Sequence, residues 1–167
     1  MWAIYATTGI LAEAIPPVEP GNGELTSMAD QIANLAVLQP ATAKGNGVPY
    51  GAADWPRPFD PSDRAPYAWD FSNIIGEGVS IADIVRITVS ATGVALGVEV
   101  DNQEGRAPII TNDGKHVQVY FLVNVASQTS QQFTNDGVKV PVSVLIRTDE
   151  NPFEEYERTA ILSVRQL

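Results

Sequence analysis

Cysteine is absent from this 167-residue chain. That excludes disulfides, thiolate nucleophiles and cysteine-based zinc sites, and it leaves stability to packing or to partners. Positive charge is scarce: 10 Lys and Arg stand against 20 Asp and Glu, for a net charge of -10. A nucleic-acid partner is not expected, because gripping a phosphate backbone requires a cationic surface. The deficit is spread along the chain, with -4 over residues 1–66 (3 basic, 7 acidic) and -6 over residues 67–167 (7 basic, 13 acidic), so neither part is a charged tail. No run approaches the ~20 apolar residues that cross a bilayer as a helix, and no membrane partner is expected. The apolar opening MWAIYATTGILAEA has no basic flank and is interrupted by Thr7, Thr8, Gly9 and Glu13, which predicts no signal peptide.

Histidine is nearly absent too. His116 stands alone at the start of an alternating run, beside Lys115, and reads as a solvated strand-end residue. A serine triad needs a base held by an acid, and a glycosidase needs two carboxylates at a set separation; no pattern in the sequence places either. The GNG stretches at 21–23 and 45–47 lie among prolines, and GVALG at 93–97 sits in a strand-like run, so none is a phosphate cradle between strand and helix. The expectation is a non-enzymatic chain with no catalytic residues, no cofactor and no metal site.

What the chain does have is divided unevenly. Nine of its twelve prolines precede Tyr67. Proline fixes φ and removes a hydrogen-bond donor, so IPPVEPGNGE and DWPRPFDPSDRAP read as extended segments poor in ladder bonds. Between them LTSMADQIANLAVLQP has the features of one short helix near residues 28–38. Ser27 is its N-cap, Met28, Ile32, Leu35 and Leu38 share a face, and Pro40 is the stop.

From Tyr67 onward the period changes to two. DIVRITVS, GVALGVEV, HVQVYFLVNV, VKVPVSVLI and YERTAILSVRQ read as antiparallel strands. Val117, Val119, Phe121, Val123 and Val125 form one inward row, and Val138, Val140, Val142, Val144 and Ile146 a second. Pro141 suits an edge strand because it cannot donate to a ladder. TNDG occurs twice, at 111–114 and 134–137, each time just before an alternating run. Asn-Asp-Gly supplies positions that tolerate positive φ, so both copies read as turns; a calcium loop would need alternating oxygen ligands and a closing bidentate Glu that neither copy has.

The predicted organisation is all-β: an extended proline-rich N-terminal arm at residues 1–66 and an antiparallel β-sandwich at 67–167. Trp2, Tyr5, Tyr50, Trp55 and Phe59 fall in the arm, which has too little regular structure to enclose them. They pack either on the chain's own sandwich or on neighbouring subunits, where aromatic residues are favoured anchors, and these five are the candidate partner-binding residues.

The stretch APYAWDFSNIIGEGVSI (65–81) and the closing VSVLIRTDENPFEEYERTAILSVRQ (142–166) resemble the small tail and fibre-adaptor proteins of tailed bacteriophages. The similarity is carried by Trp69, Asp70, Phe71, Ser72, Ile75, Gly76, Glu77 and Ile81, with Phe71 where Trp is more usual, and by Ile146, Arg147, Thr148, Glu157 and Arg158. It implies an immunoglobulin-like β-sandwich acting as a structural subunit of a virion (neck, collar, tail or fibre adaptor), assembled in the bacterial host cytoplasm. It also implies other virion structural proteins as partners and a homo-oligomer in the particle. A capsid decoration protein and a carbohydrate-binding or adhesion module are the alternatives. In the arm-exchange form of this reading, a chain lacking residues 1–66 still folds.

Overall fold

The structure, a computed structural model, describes residues 31–35 and 51–167. The strands are β1 (Ile32–Asn34), β2 (Ala53–Asp54), β3 (Pro66–Asp70), β4 (Ile81–Val89), β5 (Val98–Val100), β6 (Ile109–Ile110), β7 (His116–Val123), β8 (Val138–Thr148) and β9 (Glu155–Val164), with a short α-helix, α1 (Ala91–Ala95), and a 3-10 turn at Gln131–Phe133. They form a five-stranded sheet in the order β1-β3-β7-β5, with β6 also on β7, and a four-stranded sheet in the order β2-β9-β8-β4. The class is all-β, as the period-two runs imply.

Alternation explains the core. Val140, Val142, Val144 and Ile146 of β8 and Val117, Val119, Phe121 and Val123 of β7 are all fully buried and meet in one cluster between the sheets. Such rows tolerate no one-residue slip, since a slip would turn every member to solvent. Val125 is not part of its row. It lies beyond the end of β7, in a turn closed by Ser127 N–H donating to the Asn124 carbonyl, and is 77% exposed.

The two TNDG copies are both turns. In each, the Gly N–H donates to the Thr carbonyl, Gly114 to Thr111 at 2.8 Å and Gly137 to Thr134 at 3.0 Å. Both glycines have positive φ, and in the second copy Asn135 does too. A Cβ on Gly137 would lie 2.2 Å from the Val164 carbonyl oxygen, so only glycine fits where the chain enters β8.

Five expectations are corrected. The short helix near 28–38 is extended where it is described: Ile32–Asn34 form β1, paired in parallel with Ala68–Asp70 of β3, because Ala33 fills a fully buried place beside Trp69. The rest of that segment lies outside the described residues.

The sheets are also not purely antiparallel, since β2 runs parallel to β9 just as β1 does to β3, each as an edge strand. GVALGVEV is a helix followed by a strand. Ser90 caps α1 through its Oγ, which accepts from Gly93 N–H, and Gly97 at φ 77 turns the chain into β5.

Pro141 lies on β8, an interior strand between β9 and β4. Its carbonyl accepts from Ser90 N–H, so its ring nitrogen points to the same place, where β4 gives way to α1. The Ser90 carbonyl there is already taken by Val94 N–H in the first helical bond, so the missing donor leaves nothing unpaired.

The boundary expected at residue 66 does not separate arm from sandwich among the described residues. Trp55 N–H donates to the Ile161 carbonyl at 3.2 Å, Phe59 N–H to Ser163 at 2.8 Å, and Arg165 N–H to Phe59 at 3.0 Å, so residues 53–59 run along β9 as part of the sheet. Without these residues the four-stranded sheet would lose an edge and the core two large rings.

Candidate functional site: an open strand edge and its groove

Of the five aromatic residues expected to bind partners, Trp2, Tyr5 and Tyr50 lie outside the described residues. Trp55 and Phe59 are corrected: at 3% and 1% exposure they belong to the chain's own core. Trp55 sits edge-on to Tyr67, Trp69 and Phe121, with centroids 5.0–5.6 Å apart, and Phe59 meets Tyr67 and Phe121 at 6.0 and 6.4 Å. The Trp55 indole N–H donates to the Ala68 carbonyl at 2.8 Å. Edge-to-face packing of this kind adds to the area each ring buries, so these residues find in their own sandwich the partner the sequence says they need.

At one end of the sandwich His116 is held rather than solvated. Its Nδ1 lies 2.8 Å from Asp113 Oδ2 and its Nε2 3.5 Å from Asp70 Oδ1, with the side chain 16% exposed. Burial alone would raise the Asp113 carboxyl. Hydrogen bonds from the Thr111 hydroxyl and Lys115 N–H, and the neighbouring His116, outweigh it and hold the group below the usual carboxylate range. Lys115 Nζ donates to the Gly76 and Val79 carbonyls at 2.8 and 2.5 Å, tying this turn to the loop after β3. Both imidazole nitrogens face carboxylates, so the arrangement orients loops and offers no free nitrogen to a substrate.

Asp101, fully buried in the β5–β6 connection, accepts from Gln103 N–H at 3.0 Å and lies 3.3 Å from Arg106 and 3.9 Å from Arg64. A buried carboxylate persists only with such pairing, and here the pairing holds the connection in place.

The outer face of the four-stranded sheet is knitted by its own charges: Asp54 with Lys139, Arg86 with Glu157, and Arg147 between Asp83 and Glu155. Exposed pairs of this kind add little stability, but they leave few charges there uncompensated.

The remaining feature is an edge. Among the described residues β4 pairs only with β8, and its register shifts twice, between Ile81 and Asp83 and between Ile84 and Arg86. The shifts set Ile81, Ile84, Ile87 and Val89 opposite the buried rows of β8 and leave Val85 at a bulge, 42% exposed. Between this edge and the β5–β6 edge of the other sheet runs a groove of about 340 Å³ lined by Ile84, Val85, Arg86, Ile87, Val100, Asn102 and Pro108. Among the described residues no carboxylate lines it. Sequence reasoning passed over these residues by treating DIVRITVS as simple alternation; the adjacent Ile84 and Val85, followed by Ile87, were the signal of a bulge. A groove of mixed polar and apolar lining beside strand backbone that has no second strand among the described residues is suited to receiving an extended chain, through ladder bonds and side-chain contacts together. Set against family models, curated proteins and solved structures, the chain matches none of them.

Proposed function

We propose that this chain is a non-enzymatic structural subunit of a phage or phage-like particle, an immunoglobulin-like sandwich that joins neighbouring virion proteins. The observation that carries the joining role is the nine-residue β4 edge, which has a strand partner on one side alone among the described residues and a groove on the other. Trp69, Phe71, Ile75 and Ile81, which carry the resemblance to tail and fibre adaptors, are all core residues, in keeping with a shared scaffold rather than a shared site.

Trp55 and Phe59 are spent on the core, so the joint is assigned to the β4 edge and to the segments that precede residue 51. Mass spectrometry of purified particles tests the reading. The chain is expected in a constant ratio to the capsid protein, and antibody labelling is expected at the neck, collar, tail or fibre base. Absence from particles, with glycan binding by the isolated chain, would replace this reading with an adhesion module.

A further inference from the structure

We infer that the Asp136–Gly137 bond is a site of spontaneous isoaspartate formation in the folded chain, and that Asp113–Gly114, its counterpart in the other TNDG copy, is protected from the same reaction by the fold. The inference stands apart from the joining role proposed above.

The chemistry is intramolecular. The glycine nitrogen attacks Cγ of the preceding aspartate; an N–C bond forms, a carboxyl C–O bond breaks, and the amide proton and the departing hydroxyl leave together as water. The product is a succinimide ring. Water then adds back at one of the two ring carbonyls. Opening at the side-chain carbonyl restores aspartate, and opening at the main-chain carbonyl leaves isoaspartate, with the chain routed through the side-chain carbon. No other reactant is consumed and the mass is unchanged. Glycine in second place favours closure because no Cβ shields its nitrogen. The two Asp-Gly pairs of this chain are the two TNDG copies.

The fold separates two sites that the tetrapeptide makes alike. Their nitrogens are held in the same way: Gly114 N–H donates to the Thr111 carbonyl at 2.8 Å and Gly137 N–H to the Thr134 carbonyl at 3.0 Å, and the two glycines have φ of 66 and 68. Their carboxyls are not. Asp113 Oδ1 accepts from the Thr111 hydroxyl and, at 2.9 Å, from Lys115 N–H, while Oδ2 lies 2.8 Å from His116 Nδ1. These contacts favour the ionised carboxylate, a poor electrophile with a poor leaving group, and they would have to break before Cγ could turn to the Gly114 nitrogen. Asp136 is exposed, and among the described residues its carboxyl has no hydrogen-bond or ion-pair partner. Nothing has to be broken there before ring closure.

The position also gives the modification a consequence. Isoaspartate adds one backbone carbon just before Gly137, where a Cβ would already lie 2.2 Å from the Val164 carbonyl oxygen and 2.5 Å from Arg165 Cβ. The longer link falls at the entry to β8, beside the first pair of the hairpin, Val138↔Val164.

The test stores the full chain in mildly acidic buffer below its thermal midpoint, and in parallel in denaturant. Trypsin places the two copies on separate peptides, ending at Lys115 and Lys139, and electron-transfer fragmentation distinguishes isoaspartate from aspartate in each. The folded chain is expected to accumulate several-fold more isoaspartate at 136 than at 113, and the denatured chain about equal amounts. In the double variant Thr111→Val, His116→Gln, which removes two of the three contacts on Asp113, isoaspartate at 113 is expected to rise toward the level at 136. Equal yields in the folded chain, an excess at 113, no product at 136 while the denatured chain forms it, or an inequality that persists in denaturant each overturns the inference. So does a cooperatively folded double variant in which 113 stays unmodified. If that variant does not fold, the folded and denatured parent chains decide.

Discussion

The β8–β9 hairpin and the short strands β1 and β2 belong to one structure but are held by different physics. The hairpin is sequence-local: ten paired positions in one register, from Val138↔Val164 to Arg147↔Glu155, with an apolar row facing the core. β1 and β2 are three and two residues long, run parallel to their neighbours, and come from a region whose prolines give up ladder donors. A ladder that short contributes little. What secures residues 53–59 is the pair of rings they deliver to the core. The comparison teaches that a segment poor in secondary structure can be tied to a sandwich by a few hydrogen bonds and, above all, by the side chains it buries.

The largest effect expected comes from removing the weaker-looking partner. A chain lacking residues 1–66 loses β1, β2, Trp55 and Phe59, and it should show no cooperative thermal transition by circular dichroism. A cooperative melt would break the comparison and restore the separable arm. Trp55→Ala sharpens the same point: removing a buried tryptophan from a ring cluster should lower stability by about 3–5 kcal/mol in denaturant titration.

Gly137→Ala tests the hairpin instead. It places a Cβ against the Val164 carbonyl at a φ of 68, and about 2–3 kcal/mol should be lost. The order Trp55→Ala above Gly137→Ala is what the comparison requires.

Tyr67 stands where the two regions meet, against both Trp55 and Phe59. Burial pushes its phenol up to about 12 from an ordinary value of 10.0, with Asp63 adding to the rise and Arg57 opposing it. A folded-state pKa above the unfolded value gives a contribution that is complete below pH 10.0 and is lost as pH rises through about 12. Thermal midpoints should therefore fall across that window more steeply for the parent chain than for Tyr67→Phe. The smallest effect is expected at Arg86→Ala, where the exposed pair with Glu157 should be worth less than about 1 kcal/mol.

Much of the sheet pattern was legible because alternation has a single reading wherever one face is buried. The row from Val140 to Ile146 and the two TNDG turns follow from side-chain period and backbone sterics, both local properties. The LTSMADQIANLAVLQP segment shows the limit: its apolar spacing suits a helix, yet Ile32–Asn34 lie extended along β3, because sheet pairing and a buried place for Ala33 outweigh local preference. Pro141 shows another. Exclusion of proline from interior strands assumes that its neighbour needs a donor, and whether Ser90 needs one depends on α1. The β4 groove was hidden for a similar reason: a bulge has a faint trace in sequence, and the groove exists only because the edge strands of two sheets stop short of closing.

By itself the sequence determined the all-β class, the inward rows, the turns and the shortage of cationic surface, all of which follow from residue type and spacing. Tertiary structure decided the rest. It placed Trp55 and Phe59 in the core, set His116 between two carboxylates and gave β4 a single strand neighbour among the described residues, because each of these depends on which distant segments arrive side by side, and no local spacing encodes that.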